Sequence, residues 1–217
     1  MKLWRSATGL IALATAIAFL VVLFIVGEGR AFVLGGFIPA RLTGLVDVPG
    51  AMPVLLTPLT ATLLHAGPAH LGSNLLILLF CGLRLERVIG PARLLILYVV
   101  GAYGAAAVQW LFDHLTPVPM VGASGAIGAL FGAFAVLFGT VRPLTSSPAL
   151  DRALNVLWLL AAWTILNVML DFLGAMGGTL IATPAHIGGF AVGLLAGGIL
   201  KAGLEVSGGS ASTPLDG

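Results

Sequence analysis

Charge is what this sequence has least of. Only 8% of its 217 residues are charged, 10 Lys or Arg against 8 Asp or Glu, where a soluble domain carries about a quarter. A chain so poor in charge cannot cover itself with polar surface, which excludes an ordinary soluble globule and makes lipid the solvent. Cysteine is nearly absent too. The single Cys81 lies inside an apolar run, so neither an intrachain disulfide framework nor a Cys-rich metal site is available. There is no His-Glu-x-x-His motif to hold zinc. The net charge of +2 and pI near 9.1 would suggest nucleic acid in a soluble protein. Here ten bases spread thinly between apolar runs read as topology signals, and no nucleic-acid partner is expected.

What is abundant is apolar length. Hydrophobic residues make up 59% of the chain and the mean hydropathy is +1.12. The first apolar run, 7–26, follows Lys2 and Arg5; it is too long for a signal-peptide core of about 7–15 residues and reads as a retained span. The stretch 27–64 carries Glu28, Arg30, Arg41, Asp47 and several prolines and is too interrupted to cross as one helix, so part of it is expected in the interface. Five more apolar runs follow, about 69–85, 92–112, 124–141, 153–172 and 185–200, separated by breakers such as Gly90-Pro91, Pro117 to Pro119, Pro143 and Pro184. The expected organisation is all-α: one six-helix membrane domain over 1–205 and a disordered Gly- and Ser-rich tail over 206–217.

Six spans put both termini on one side. With the N-terminus cytoplasmic, Lys2, Arg5, Arg84, Arg87, Arg93, Arg142, Arg152 and Lys201 fall inside and only Arg30 and Arg41 outside, as the positive-inside rule favours. The expected location is therefore the cell membrane, multi-pass, with cytoplasmic termini. The second, fourth and sixth helices then start at the outer face, which brings His70, Ser124 and His186 to one leaflet. Their apolar runs hold only about 16 to 18 residues, roughly 26 Å of helix against a hydrocarbon core of about 30 Å. Short helices of that kind predict a water-filled pocket sunk into the outer leaflet, since non-helical backbone at depth must be shielded or line a cavity.

Ser124, in Gly122-Ala123-Ser124-Gly125, opens the fourth apolar run. It is either a helix cap or a nucleophile beside free backbone N–H groups and a helix start that favours an oxyanion. His186 opens the last run and is either a structural histidine or a functional one, an ionisable residue within a span being costly. Gly189, Gly193 and Gly197 share the His186 face, while Ser124, Gly128 and Gly132 recur every fourth residue opposite; small-residue rows let membrane helices approach closely. Two small-residue faces, each headed at the same depth by one half of a Ser/His pair, are hard to explain as capping plus coincidence. His70 and Asn74, four apart and preceded by His65, lie on one helical face, as oxyanion donors or as interhelical glue. A metal held by His65, His70 and His186 ranks below both, because no acidic ligand lies nearby. Asp113 and Asp171 fall near the outer ends of their helices, as partners of the imidazole or as solvated loop residues. Gln109, Asn167, Trp158 and Trp163 read as packing or interfacial residues.

His65, then His70-Leu71-x-x-Asn74-Leu75, then Gly122-x-Ser124-Gly125, then Ala185-His186-Ile187-x-Gly189, in that order, resembles the signature of rhomboid intramembrane serine proteases over about residues 64–200. The resemblance implies a six-helix core, a Ser124/His186 dyad with no obligatory Asp, and an oxyanion site from His70, Asn74 and the Ser124 backbone. His65, Gly122, Gly125 and Gly189 support the motif. It implies no cofactor and no metal. The implied partners are the bilayer and transmembrane protein substrates, cut near the outer ends of their helices and admitted past the fifth helix; the oligomeric state is left open. Glu86 and Gly90 match a structural part of the family pattern. Two departures stand out: Gly128 occupies the place where many members have an aromatic stacked on the catalytic histidine, and the Trp-Arg pair often found in the first loop is missing. The alternative function is a catalytically silent rhomboid-like protein that binds membrane helices, which would typically have lost the serine or the histidine.

Overall fold

The computed structural model describes residues 3–139, 143–174 and 182–209. Among them the only β-type pairing is an isolated bridge between Phe37 and Met120. The first helix, α1 (Ala7–Val21), starts behind Ser6, whose Oγ accepts from the Gly9 N–H at 2.9 Å. It runs on through a π-helical turn, Val22–Val26, ended by Gly27 at φ +84°. The helices α2 (Glu28–Gly35), α3 (Pro39–Leu42) and α4 (Thr57–Thr60) follow, the last flanked by the 3-10 turns Val54–Leu56 and Ala61–Leu63. Then come α5 (Pro68–Ile89), α6 (Pro91–Phe112), α7 (Ser124–Phe138), α8 (Pro148–Gly174) and α9 (Thr183–Gly209).

Five stretches are long and apolar enough to cross a bilayer: Ala7–Val26, Pro68–Ile89, Pro91–Phe112, Pro148–Met169 and Thr183–Glu205. With α7 as the sixth member they form a helical membrane bundle, and the chain is a multi-pass membrane protein. The expectation that the second, fourth and sixth helices are all short holds for α7 alone, at 15 residues; α5 has 22 and α9 has 27. The apolar run and the helix are different objects. Near the end of α5 the backbone stays helical through Arg84, Glu86 and Arg87, and in α9 through Lys201 and Glu205, where polar side chains reach water or a protein partner. The segment 206–209, placed in the tail on sequence, continues α9; the rest of that tail, 210–217, lies outside the described residues.

The short helix is the central one. Every residue from Ser124 to Leu130 is buried, the pattern of a helix that is apolar all round and enclosed by others. Fifteen residues make roughly 22 Å of helix, less than the hydrocarbon core of about 30 Å, so α7 cannot reach both surfaces.

Glycine sets how closely its neighbours approach. A Cβ added to Gly189 would collide with the Gly125 carbonyl, one on Gly193 with that of Ala129, and one on Gly197 would lie 2.9 Å from Ala133 Cα. The contact row on α7 is thus Gly125, Ala129 and Ala133, one residue round from the expected Ser124, Gly128 and Gly132. Gly128 and Gly132 flank it and face α9 at Phe190, whose carbonyl would be 2.5 Å from a Cβ on Gly132. Helices in backbone contact touch along a strip wider than one row. On the α6 side, a Cβ on Gly101 would be 2.5 Å from Ala129 Cβ, and one on Gly188 would be 2.6 Å from Val108 Cβ.

The start of α1 is pinned to α5. The buried Glu86 carboxylate accepts from the Ala7 N–H at 2.8 Å, the Thr8 N–H at 2.9 Å and Thr8 Oγ1 at 2.7 Å. A helix start offers unpaired N–H groups and partial positive charge, which is what lets a carboxylate stay buried there. The family-matching Gly90 adopts φ +83° between α5 and α6, a conformation glycine reaches without steric cost.

Candidate active site

The site starts from the loop that delivers the chain into α7. Met120 exchanges two backbone hydrogen bonds with Phe37, at 2.8 and 3.0 Å, and the Gly122 N–H donates to the Ala61 carbonyl at 2.9 Å. The first loop therefore carries the approach to Ser124. It is itself tied down by Arg41 Nη2 donating to the Met52 carbonyl at 3.0 Å, by Thr60 Oγ1 to the Gly35 carbonyl at 2.5 Å, and by Tyr103 Oη of α6 to the Leu55 carbonyl at 2.9 Å. These contacts hold the loop in a chain that lacks the Trp-Arg pair. The Ala123 N–H points at His65 Nε2, 3.4 Å away. Burial, and then the neighbouring His70, push the His65 imidazole down from the ordinary 6.5 to about 3. His65 is thus neutral and available as an acceptor.

At the end of this loop, Ser124 Oγ lies 2.8 Å from His186 Nε2. The two residues are 62 positions apart in sequence, on α7 and α9, and both are buried. The glycine seam below them brings the two helix starts within side-chain reach. His186 Nδ1 has no hydrogen-bond partner among the described residues. Asp113, at the end of α6, is exposed and so does not bond to it; the Asp171 side chain lies outside the described residues.

Facing Ser124 from α5 is His70, whose ring stands edge-on to that of His65 with centroids 5.0 Å apart. Gly122 sits between His70 and the serine at φ +117°. A Cβ there would fall 2.7 Å from His70 Nε2 and 3.8 Å from Ser124 Oγ. Gly122 thereby keeps open a small space bounded by an imidazole nitrogen and a hydroxyl. Ser124 is the first residue of α7, so its N–H belongs to the helix-start group that has no partner within the helix. Asn74 is buried and bonds within its own helix, Nδ2 to the His70 carbonyl at 2.8 Å. Among the described residues, one hydrogen of that amide is used. A cavity of about 20 Å³ adjoins Ser124, lined by small residues including Ala61, Thr62, Ala105 and Ala185; this is room for one water molecule.

Of the residues singled out on sequence, the fold gathers Ser124, His186, His70, His65, Gly122, Gly125 and Gly189 at the starts of α5, α7 and α9, while Asn74 lies one turn further into α5. Trp158 and Trp163 separate: five residues apart on a helix is a rotation of about 140°, and Trp158 is 69% exposed while Trp163 is 2% exposed. Trp163 lies edge-on to His186, ring centroids 6.4 Å apart. The sequence offered no signal for that contact, because which face of α8 turns inward depends on how α8 docks. Gln109 and Asn167 are buried, the latter bonding the Trp163 carbonyl at 2.8 Å.

The chain matches the model of the Rhomboid domain over residues 54–203. It is 36% identical over 142 residues to RHOMBOID-like protein 4 of Arabidopsis thaliana, covering 65% of this chain and 33% of that relative. To RHOMBOID-like protein 5 of the same plant it is 32% identical over 137 residues, 63% of this chain and 41% of the relative. To the Rhomboid protease GluP of Bacillus subtilis (strain 168) it is 39% identical over 79 residues, 36% of this chain and 14% of the relative. The chain thus spans about a third to two fifths of the length of the plant relatives it matches. The domain match takes in the loop before α5, all of α6 and the starts of α5, α7 and α9, where the described side chains converge, and covers more than half of the sequence: this multi-pass membrane protein belongs to the rhomboid family.

Proposed function

We infer that the protein is an intramembrane serine endopeptidase that hydrolyses peptide bonds in or next to transmembrane segments of other membrane proteins. The reading is carried by the 2.8 Å contact between Ser124 Oγ and His186 Nε2, within the reach proton transfer requires. In the proposed reaction Ser124 Oγ attacks the carbonyl carbon of the scissile bond while His186 Nε2 takes the hydroxyl proton. The carbonyl oxygen becomes an oxyanion in the space beside Gly122, where the Ser124 N–H, His70 and the second hydrogen of the Asn74 amide are the donors. His186 then protonates the leaving amine as the C–N bond breaks. Water, deprotonated by the same imidazole, attacks the acyl ester and releases the carboxylic acid and the serine. Every proton taken by His186 is returned, so a dyad suffices for the cycle. The distribution of basic residues favours an opening to the extracytoplasmic side. A silent helix-binding relative has no need of a serine and a histidine held at bonding distance.

The reading is tested by a fluorophosphonate probe applied to the detergent-solubilised protein. Ser124 is expected to be labelled, and Ser124→Ala to remain folded and unlabelled. Equal labelling of the alanine variant would remove Ser124 as nucleophile.

A further inference from the structure

The chain has glycine at position 128, one turn beyond Ser124, where nothing projects toward His186. The imidazole nonetheless needs a second constraint. Its torsion about Cβ–Cγ is intrinsically broad, Nε2 meets Ser124 Oγ, and Nδ1 has no partner among the described residues. A ring held at one nitrogen can pivot out of line. What meets it is Trp163 of α8, at 6.4 Å between centroids and 78° between planes, the edge-to-face arrangement that aromatic pairs favour at about 4.5–7 Å.

Gly128 and Trp163 compete for one volume. A Cβ on Gly128 would lie 3.2 Å from Trp163 Nε1, 3.2 Å from the Phe190 nitrogen and 3.5 Å from the His186 carbonyl oxygen. A larger side chain at position 128 would therefore press on the indole. Phe131 of α7 stacks on Trp163 at 5.3 Å and 29°, and leans on Phe190 of α9 at 5.9 Å. Trp163 Nε1 has no hydrogen-bond partner among the described residues although the side chain is 2% exposed. The indole is thus held by shape and ring contact, since no bond anchors its N–H. We propose that Trp163 is the positioning residue that orients the His186 imidazole, delivered across the bundle from α8 into the space that Gly128 leaves. The base is then oriented from α8, the least buried of the five long spans.

The geometric part of this proposal stands without the protease reading; its kinetic consequence rests on that reading. The test follows Trp163→Ala, Trp163→Phe and the double change Trp163→Ala with Gly128→Phe. Two readouts are used: steady-state cleavage of a model transmembrane substrate, and the ring carbon-13 NMR signals of the four histidines, with His186 assigned by its loss in His186→Asn. Trp163→Ala is expected to lower kcat roughly 10- to 100-fold, the scale on which a misplaced reacting group costs rate, with KM within about twofold and the His186 signal losing its ring-current shift. Trp163→Phe keeps most of the kcat and a ring-current shift, because the N–H contributes no bond. The double variant regains part of both, with the aromatic now supplied from α7. A Trp163→Ala enzyme with parental kcat overturns the proposal, as does a His186 signal that stays put when the indole is removed. Should the parent prove inert toward probe and substrate, the protease reading fails, and the NMR response alone decides whether Trp163 orients His186.

Discussion

Gly122 and His65 show what single positions contribute. Gly122 combines φ +117° with a Cβ direction that runs into His70 Nε2 at 2.7 Å. Gly122→Ala should therefore fill the space proposed for the oxyanion. The expected loss in kcat is about 10²- to 10³-fold, similar to removing an oxyanion donor, with a backbone strain of about 1–3 kcal/mol visible as a lower melting temperature. Progress curves with a model substrate check this, and an unimpaired kcat would move the oxyanion elsewhere. His65 is 1% exposed, and its imidazole is pushed down to about 3 from 6.5. The folded form thus resists protonation more than the unfolded chain does. The sign follows: its stabilising contribution is complete above pH 6.5 and is lost as pH falls from there toward 3. At pH 5 the loss is roughly 2 kcal/mol, at about 1.36 kcal/mol per unit. His65→Gln, which keeps an acceptor for the Ala123 N–H, should narrow the difference in melting temperature between pH 7 and pH 5. An unchanged difference would show that His65 is not an acid-sensitive element of the loop.

Between elements, the contact that counts is α7 against α9. Their backbones touch where Gly193 meets Ala129 and Gly132 meets Phe190, and this brings Ser124 and His186 to 2.8 Å. Gly193→Leu must drive the helices apart, because its Cβ would already collide with the Ala129 carbonyl. Overpacking of this kind typically costs about 1–3 kcal/mol, so the variant should insert and fold with a lower melting temperature. Cleavage should collapse, since proton transfer tolerates a separation of only about 2.6–3.2 Å. Ile199→Leu, at a residue 76% exposed, serves as the silent control. Parental activity in Gly193→Leu would mean the seam does not align the pair. The other long-range joint, Glu86 capping α1, is remote from the reacting groups and fixes the outer frame of the bundle.

At the scale of the whole molecule, the question is which way the bundle sits. Eight basic residues against two favour cytoplasmic termini, and with them an extracytoplasmic site. Leu115, 60% exposed between α6 and α7, and Ser146, exposed before α8, lie on the connections before and after α7 and serve as reporters. In a Cys81→Ala background, Leu115→Cys should react with an impermeant maleimide added to intact cells, while Ser146→Cys should react only after lysis. The reverse pattern would put the Ser124 pocket on the cytoplasmic side.

Membrane residence, the six-helix bundle and the family were all legible in the sequence, for one reason each. A chain with 8% charge has no means of covering a water-facing surface, hydrophobic runs of span length need intrahelical hydrogen bonds in lipid, and the His70, Asn74, Ser124 and His186 motifs are local strings. Glycines at every fourth residue on two helices announced a close seam, because the absence of a side chain is itself a contact instruction. Helix length at α5 and α9 was not legible, since apolar runs mark the lipid boundary while the backbone stays helical beyond it. The sequence also could not say which row of α7 meets α9, that the Ala61 carbonyl and Phe37 carry the loop into Ser124, or that Trp163 turns inward to His186 while Trp158 faces outward. Those are matters of register and rotation between helices. They are decided by how whole surfaces fit once every helix is docked, and no local string encodes that fit.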